Sequence, residues 1–385
     1  MTPPFERAEY AARLRRTRAA MRAAGLDALL VFHQEHMFYL AGYDQIGYWV
    51  YQVLIVPADD APMTAIVRKV DEPLVRDGGI VDDVRVWLDD TSRDPAQQTA
   101  DVLAERGLLG GRRLGIERKS HALLPYYHDL LRDALAGAEL VDASDLITEL
   151  RLVKSPAEVA YMRQAGAVMD AGVEAAWAAL RPGVRECDVH AAVAAAMYRA
   201  GGEHPSVAPP MGTGPRTLTQ THGAATTREV RAGDPFLLEV GGCVRRYHAV
   251  CMRTASVGPP GERMRSIHAA LRAATDAGLA AVRPGVATAD VARAVHGELA
   301  RHGYSRRGQH VGYGIGLGYP PTWIDSLRIK ETDPHVLREG MTFLLHSGVR
   351  APGEALYVAL GDPVLVTATG AERLTRLSRD LPVIG

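Results

Sequence analysis

Glu239 is the residue in this sequence best suited to nucleophilic or acid–base chemistry. It lies near the end of the apolar segment FLLEV at 236–240, immediately before Gly241 and Gly242. An apolar strand removes water from a carboxylate, which then stays reactive or binds a cation tightly. Such a group can attack a carbon atom directly or activate a water molecule. The same pattern also fits a glutamate at an exposed strand end.

Other patterns that could carry chemistry are weaker. The glycine-rich run at 312–318, GYGIGLG, lacks the Lys-Ser/Thr ending of a phosphate-binding loop and favours close backbone approach in a strand. His33 and His36 follow a strand rather than share a helix face, so we do not expect them to bind metal. The sequence has no Gly-x-Ser-x-Gly elbow, and none of its three cysteines has a nucleophile signature.

The composition predicts a near-neutral, soluble protein of the cytoplasm. The chain has 385 residues, 47% of them hydrophobic, enough for two domains. Its 44 Lys and Arg nearly balance 45 Asp and Glu without a basic stripe, so nucleic acid is not an expected partner. The N-terminus has no apolar signal core, and no apolar run approaches the ~20 residues that span a membrane. Three cysteines without a CxxC pair argue against a disulfide framework.

Strands and helices alternate through the first 150 residues. Residues 5–25 read as a helix that stops at Gly25, and residues 26–32 read as a buried strand. The alternation predicts an α/β domain over 1–150, followed by a second domain over 151–385. A helix over 156–180 opens the second domain, since Ser155-Pro156 is a favoured helix start.

The second domain contains an internal repeat. ALRPGVRECDV at 179–189 returns as AVRPGVATADV at 281–291, 102 residues later, and each copy lies between two Ala-rich helices. Two helix–helix–strand halves, with helices covering one face of a curved antiparallel sheet, would explain the pattern. The alternative is that two Pro-Gly turns lie between helices by chance.

Six motifs occur in the order found in the creatinase, prolidase and methionine aminopeptidase superfamily, and the chain resembles that superfamily over nearly its whole length. They are LRLVKSPAEVAYMRQAG (150–166), GDPFLLEVGG (233–242), RT (253–254), GYGIGLGYPP (312–321), REGMTFLLHSG (338–348) and DPVLVTATG (362–370). The resemblance implies an α+β fold, with a pita-bread catalytic domain after a smaller creatinase-type α/β domain.

Metal-dependent members of that superfamily hold two divalent ions with two Asp, one His and two Glu. The residues that stand at those five positions here are Glu239, Val250, Tyr313, His346 and Gly361, with Asp362 beside the last. Valine and glycine offer no ligand atom, and two bridged metal ions need several anionic oxygens. The resemblance therefore implies no metal and no other cofactor, and metal-dependent aminopeptidase activity is not expected.

The chain is more similar to ectoine hydrolase and creatinase, which share the fold and act on small zwitterions without metal. The stretches that carry this similarity are residues 42–57, 239–248 and 312–323. The last motif departs from it, because ALGD at 359–362 has lost a carboxylate expected to face a cationic amidine. The departure leaves the identity of the substrate open.

Further site residues follow from the resemblance. His222 occupies the position of a histidine that contacts the scissile group, and an imidazole suits proton donation to a leaving nitrogen. Tyr313 either hydrogen-bonds an oxyanion or a substrate carboxylate, or fills the former metal cavity. Tyr247 and His248 are substrate-pocket candidates.

Four more residues complete the expected substrate site. His346 and Asp362 stand at or beside metal-ligand positions, although a histidine packed in a core is the commoner case. Tyr48 and Trp49 lie in an aromatic stretch of the N-terminal domain. The resemblance implies a homodimer in which this domain of one subunit lies near the active site of the other; the alternative is an amphipathic strand with an aromatic outer face.

The sequence thus predicts a metal-independent hydrolase of a non-peptide carbon–nitrogen bond in a small amidine, guanidino or cyclic zwitterionic compound. Glu239 and His222 are the expected catalytic residues. Two alternatives stay open: a non-catalytic member of the fold that binds a ligand or a partner protein, and a biosynthetic enzyme that runs a related cyclisation.

Overall fold

Short apolar segments separated by helices build a mixed sheet in the first part of the chain. The computed structural model describes residues 3–88, 94–219, 221–305 and 308–385. The strands of this first unit, Met1–Arg151, are β1 (Ala28–Val31), β2 (Val53–Pro57), β3 (Thr64–Arg68), β4 (Asp83–Trp87), β5 (Arg113–Ile116) and β6 (Glu139–Asp142). Its α-helices are α1 (Arg7–Ala23), α2 (Gln34–Ala41), α3 (Glu72–Gly78), α4 (Pro95–Glu105), α5 (Pro125–Ala134) and α6 (Leu146–Arg151).

The six strands lie in the order β4-β3-β2-β1-β5-β6, with parallel pairs β3/β4, β1/β5 and β5/β6. Apolar residues of α4 and α5, among them Leu103 and Leu131, pack on Leu30 and Leu114 of the central strands. The helix predicted over 5–25 and the strand predicted over 26–32 are α1 and β1. The first unit is therefore an α/β domain, as its alternating pattern indicates.

The second unit, Leu152–Gly385, consists of two helix pairs and one large sheet. Its α-helices are α7 (Pro156–Ala179), α8 (Glu186–Arg199), α9 (Arg216–Thr219), α10 (Glu262–Ala281) and α11 (Thr288–Arg301). Its strands are β7 (Met211–Thr213), β8 (Pro235–Val244), β9 (Tyr247–Val257), β10 (Gly312–Gly314), β11 (Thr342–Ala351), β12 (Leu356–Val366), β13 (Ala371–Arg373) and β14 (Val383–Ile384). The boundary falls one residue after the expected position, between 151 and 152.

The internal repeat corresponds to two equivalent helix pairs, α7–α8 and α10–α11. Helices α8 and α11 begin at Glu186 and Thr288, which preserves the offset of 102 residues seen in the sequence. Helix α7 begins with a capping box: Ser155 Oγ accepts from the Glu158 N–H, and the Glu158 carboxylate accepts from the Ser155 N–H at 2.8 Å. The predicted helix over 156–180 is therefore confirmed.

Both helix pairs cover the same face of an antiparallel sheet with the strand order β10-β11-β12-β9-β8-β7. Apolar residues of α7 and α8 share a core with β8 and β9, and those of α10 and α11 share a core with β11 and β12. The predicted pita-bread arrangement of two helix–helix–strand halves on one sheet is confirmed. None of the helices in the described ranges is long and apolar enough to cross a membrane.

The register of the large sheet places several site residues in one row. Glu239 pairs with Met252, Met252 with Gly361, and Gly361 with His346, so their side chains project from the same face. Strand β10 lies four strands from β8, which is about 19 Å in a flat sheet. Tyr313 of β10 nevertheless hydrogen-bonds Glu239 of β8. The sheet must therefore be strongly curved, with these residues on its concave face.

Candidate active site

The concave face of the large sheet lines a cavity of about 660 Å³. Four of the residues predicted from sequence reach it: Glu239, Tyr313, His346 and His222. This volume is within the range of sites that enclose a small molecule. The four residues come from β8, β10, β11 and the segment after α9, so the fold joins parts of the chain that are distant in sequence.

Glu239 is held on the cavity side of β8 by strand alternation. Its neighbours Leu238 and Val240 belong to the core under α7 and α8, so the Glu239 side chain points the other way. Only 6% of its surface is exposed, and Tyr313 Oη donates a hydrogen bond of 2.5 Å to Oε1. Burial raises the pKa of Glu239 above its ordinary value, and the Tyr313 hydrogen bond and the nearby His222 offset only part of that rise.

Tyr313 is itself oriented by Trp323. The indole Nε1 donates to Tyr313 Oη over 3.2 Å, so Trp323, Tyr313 and Glu239 form a chain of hydrogen bonds that all point toward the carboxylate. Burial raises the pKa of Tyr313 well above its ordinary value, and the charge of Glu239 raises it further. The phenol therefore keeps its proton and acts as a permanent donor.

Two histidines lie beside Tyr313. The His346 ring centre is 5.5 Å from that of Tyr313, and the His310 ring centre is 5.3 Å from that of His346. Gly361, across the strand pair from His346, makes room for it, since a Cβ atom at 361 would lie 2.6 Å from His346 Cβ. His222 is exposed and lines the cavity in the segment after α9.

The side chains at the five positions that correspond to metal ligands in the metal-dependent proteins do not fit a dinuclear metal centre. Val250 is fully buried, and the Trp323 ring covers the strand next to it. A Cβ atom on Gly241 would lie 2.9 Å from that ring and 3.4 Å from a Val250 methyl group, so the space is packed. Within the described ranges, no group of three or more His, Cys, Asp or Glu side chains is arranged to hold a metal ion. The remaining carboxylate, Glu239, is hydrogen-bonded to a phenol.

Asp362 does not line the cavity. It follows Gly361 on β12, and strand alternation turns its side chain to the helix-covered face. There it accepts from Arg253 at 2.6 Å and from Arg373 at 2.7 Å, and Arg379 lies 3.8 Å away. Burial alone would raise the pKa of Asp362, but the charges of Arg253 and Arg373 outweigh it and hold the pKa below its ordinary value. Asp362 therefore neutralises the buried Arg253 and the half-buried Arg373.

Tyr247 and His248 also lie outside the cavity lining. Tyr247 Oη donates to Glu158 at 2.8 Å, which ties β9 to the first turn of α7. His248 Nε2 accepts from the Ser206 N–H at 2.9 Å, and burial lowers the pKa of His248 to about 4. This imidazole is therefore neutral at physiological pH and serves as an acceptor within the fold.

Tyr48 and Trp49 belong to the first unit. Their rings pack edge to face with centres 5.7 Å apart, and Trp49 is exposed. They lie in a turn rather than in a strand, because β2 begins only at Val53. The alternative of an amphipathic strand with an aromatic outer face is therefore wrong.

Sequence reasoning missed most of the residues that line the cavity, among them Trp323, His310, Arg328 and Arg350. Strand alternation could have predicted Arg350, because residues 346, 348 and 350 share one face of β11. Trp323 is the last residue of the segment 312–323, in which the sequence indicates Tyr313 as a site residue. No sequence feature indicates that its indole reaches back to Tyr313.

Comparison with known proteins agrees with this architecture. Residues 160–368 match the family model of metallopeptidase family M24, and residues 13–153 match that of the creatinase/prolidase N-terminal domain. An uncharacterized hydrolase/peptidase of Sinorhizobium fredii is 33% identical over 98% of both chains. The ectoine hydrolase of Halomonas elongata is 28% identical over 98% of both chains. The crystal structure of dipeptidase PepE from Mycobacterium ulcerans superposes with a TM-score of 0.83 at 29% identity and covers 99% of both chains.

Proposed function

Since this chain belongs to metallopeptidase family M24 and carries its creatinase/prolidase N-terminal domain, we propose that it hydrolyses a non-peptide carbon–nitrogen bond without a metal ion. The family and the relatives named above make the chain a member of a hydrolase family. The bond, the substrate and the independence from metal are the proposal. The substrate class is a small amidine, guanidino or cyclic zwitterionic compound like the one named by its ectoine hydrolase relative.

The hydrogen bond from Tyr313 to Glu239 carries the proposal. It occupies the position where metal-dependent relatives, by the resemblance, would place a histidine and an aspartate on a metal ion. Trp323 donates to Tyr313 and packs against Gly241, so the neighbouring space is filled by an aromatic ring. A buried carboxylate that faces a cavity and is oriented by a neutral donor is suited to act as a nucleophile or a general base.

The reaction uses groups that already line the cavity. Glu239 takes a proton from a water molecule while the water oxygen bonds to the amidine carbon. Alternatively, Glu239 bonds to that carbon itself, and a water molecule later cleaves this bond and releases the carboxylate. The carbon–nitrogen bond then breaks, and His222 gives a proton to the departing nitrogen. Because burial raises the pKa of Glu239, proton uptake by this residue is easier than by an exposed glutamate. Tyr313 keeps the carboxylate oriented throughout.

Two further expectations accompany this proposal. The exposed Trp49 supports the predicted homodimer, in which Tyr48 and Trp49 of one subunit lie near the active site of the other. The cytoplasmic location also stays a prediction.

Turnover of ectoine, hydroxyectoine and creatine, followed by proton NMR with and without EDTA, tests the proposal. We expect ring opening or urea release that resists the chelator. Glu239→Gln should lower kcat by a factor of about a thousand or more, since it removes the nucleophile or base. Glu372→Gln, which alters an exposed ion pair with Arg163, serves as the matched control and should retain full activity.

The peptidase relatives define the competing reaction. Xaa-Pro dipeptides should not be cleaved, with or without added Mn²⁺, because the side chains at 250, 313 and 361 provide no metal-binding carboxylate or imidazole. Dipeptide cleavage that appears only with Mn²⁺ would refute the metal-free mechanism. Ligand binding without any turnover would favour the non-catalytic alternative.

A further inference from the structure

The segment that carries His222 is fastened to a buried carboxylate outside the cavity. Glu186, the first residue of α8, is fully buried and does not belong to the cavity lining. Its Oε1 accepts from the N–H and the hydroxyl group of Thr213, at 3.0 and 2.7 Å. Its Oε2 accepts from the N–H and the hydroxyl group of Thr226, at 3.0 and 2.7 Å, and from Arg216 Nη1 at 3.0 Å. Five donors therefore meet on one carboxylate, a group that only accepts hydrogen bonds.

The contacts of Glu186 continue to the residues directly after His222. Arg216, which is bound to Glu186 through Nη1, donates through Nη2 to the Ala224 carbonyl oxygen at 2.9 Å. Ala224 and Thr226 thus both depend on Glu186, one through the guanidinium group and the other directly. His222 and Ala224 line the cavity, two residues apart in the chain. Glu186 therefore fixes the backbone next to His222 from outside the cavity.

The second helix pair has a contact of the same kind without a buried charge. The residue that corresponds to Glu186, 102 positions later, is Thr288, the first residue of α11. Thr288 Oγ1 donates to Asp333 Oδ1 at 3.0 Å, and Asp333 Oδ2 accepts at 3.1 Å from the N–H of Arg328, which lines the cavity. A hydroxyl group is thus enough to fasten a segment at this position, whereas a buried carboxylate is costly unless it is well paired. The bridge through Arg216 is what the carboxylate adds.

On the basis of the proposed function, we propose that Glu186 is a positioning residue for the proton donor His222. The carboxylate and Arg216 hold residues 221–226 so that the His222 imidazole stays within reach of the departing nitrogen. The His222 side chain is exposed, so its position depends on the backbone that carries it. A displacement of about 1 Å is enough to slow such a reaction about a hundredfold.

A kinetic double mutant separates positioning from a general loss of structure. Glu186→Gln keeps the shape of the side chain but replaces one acceptor oxygen with a donor, so it breaks part of the anchor. It should lower kcat about ten- to hundredfold and leave KM within about twofold, since the residues of the cavity lining are unchanged. In a His222→Ala background the same substitution should cause no further loss of kcat, because Glu186 acts through His222.

Thr226 offers a milder pair of variants, which decides the question if Glu186→Gln does not fold. Thr226→Val removes the hydroxyl contact with Glu186 and keeps the size of the side chain, so kcat should fall about three- to tenfold. Thr226→Ser retains the hydroxyl group and should keep the wild-type kcat. Equal kcat in these two variants would contradict the anchoring role of the hydroxyl contact.

Asp234→Asn is the matched control, because Asp234 is a buried carboxylate in the same half of the domain. In the described part of the chain its carboxylate accepts from Arg228 at 2.7 Å and from the Arg231 N–H at 2.8 Å, both outside residues 221–226. Asp234→Asn should therefore leave kcat unchanged. A loss of kcat as large as that in Glu186→Gln would show that any buried carboxylate of this region has the same effect, which overturns the proposal.

Hydrogen–deuterium exchange measured by mass spectrometry tests the anchor without turnover. The amides of residues 221–226 should exchange about tenfold or more faster in Glu186→Gln, somewhat faster in Thr226→Val, and at the wild-type rate in Asp234→Asn. Unchanged exchange in Glu186→Gln, an unchanged kcat in that variant, or a loss of kcat that persists in the His222→Ala background would each overturn the positioning role. Faster exchange in Glu186→Gln, with no turnover by the wild type, would contradict only the proposed function.

Discussion

Two carboxylates buried in the same sheet have opposite surroundings. Glu239 faces the cavity and accepts from a neutral phenol, whereas Asp362 faces the helices and is bound by the guanidinium groups of Arg253 and Arg373. Burial raises the pKa of Glu239, while at Asp362 the two positive charges outweigh burial and lower the pKa. Burial is common to both residues, so the partners decide the direction of the shift.

The comparison separates a carboxylate with a structural role, Asp362, from Glu239, for which we propose a catalytic role. The charges of Arg253 and Arg373 keep Asp362 ionised, and Asp362 in turn neutralises the buried Arg253, so we expect the fold to depend on it. Glu239 is buried without a guanidinium partner, so its ionised form lowers the stability of the fold, which is consistent with the catalytic role that we propose for it. Mutations at the two sites should therefore affect different properties of the molecule.

Asp362→Asn should cause the largest loss of stability. It would leave Arg253, which is only 2% exposed, without its counter-charge, and the free energy of unfolding should fall by about 3–5 kcal/mol. Urea denaturation measures this loss. Glu372→Gln, at an exposed ion pair, should cost less than about 1 kcal/mol. Equal losses in the two variants would refute the structural role of Asp362.

Glu239→Gln should stabilise the protein while it abolishes turnover. The folded-state pKa of Glu239 lies above its ordinary value of 4.5, so the folded protein binds this proton more tightly than the unfolded chain does. The contribution of Glu239 to the free energy of unfolding is therefore complete below pH 4.5 and decreases as the pH rises through the folded-state pKa. At pH 8 the glutamine variant should be more stable than the wild type by about 1–2 kcal/mol.

Measuring the stability of Glu239→Gln at low pH is the control for the stabilisation expected at pH 8. Thermal unfolding near pH 4 should show a smaller difference between the two proteins, since Glu239 is then protonated in the folded state. A glutamine variant that is less stable than the wild type at pH 8 would show that the Glu239 charge is compensated in the fold, which contradicts the proposed contrast with Asp362.

Tyr313→Phe should have the smallest effect. It removes the hydrogen bond that favours the ionised form of Glu239, so the pKa of Glu239 should rise further. The acid limb of the kcat/KM–pH profile should then move to higher pH, with a rate loss of about tenfold at the optimum. Trp323→Phe, which keeps the phenol and removes only its donor, should move that limb less. An unchanged limb in Tyr313→Phe would mean that another group controls it.

Much of the fold could be predicted from the sequence because its signals are local. Ser155 and Glu158 form the capping box that starts α7, and the repeated Pro-Gly turns mark the two helix pairs. Glu239 could be identified because it is a charged residue inside the apolar segment FLLEV, so it differs from its immediate neighbours in the chain. In each case the physical cause lies within a few residues of the effect.

The rest of the site depends on contacts between distant segments. The sequence placed Asp362 in the substrate site, but a shift of one residue along β12 moves a side chain to the other face of the sheet. Trp323 and Arg350 reach the cavity only because the sheet is curved and because Gly241 and Gly348 leave space for aromatic rings. Curvature and close packing of this kind have no short-range pattern.

Burial at Val250 and packing at Gly361 also limit which mutations could create a metal site. An aspartate at 250 would place a carboxylate where Val250 is fully buried, and a glutamate at 361 would collide with His346. A single replacement toward the ligand set of the metal-dependent relatives would thus destabilise the fold without creating a complete metal site. If the proposed metal-free mechanism is right, a metal site could be introduced here only by several simultaneous changes.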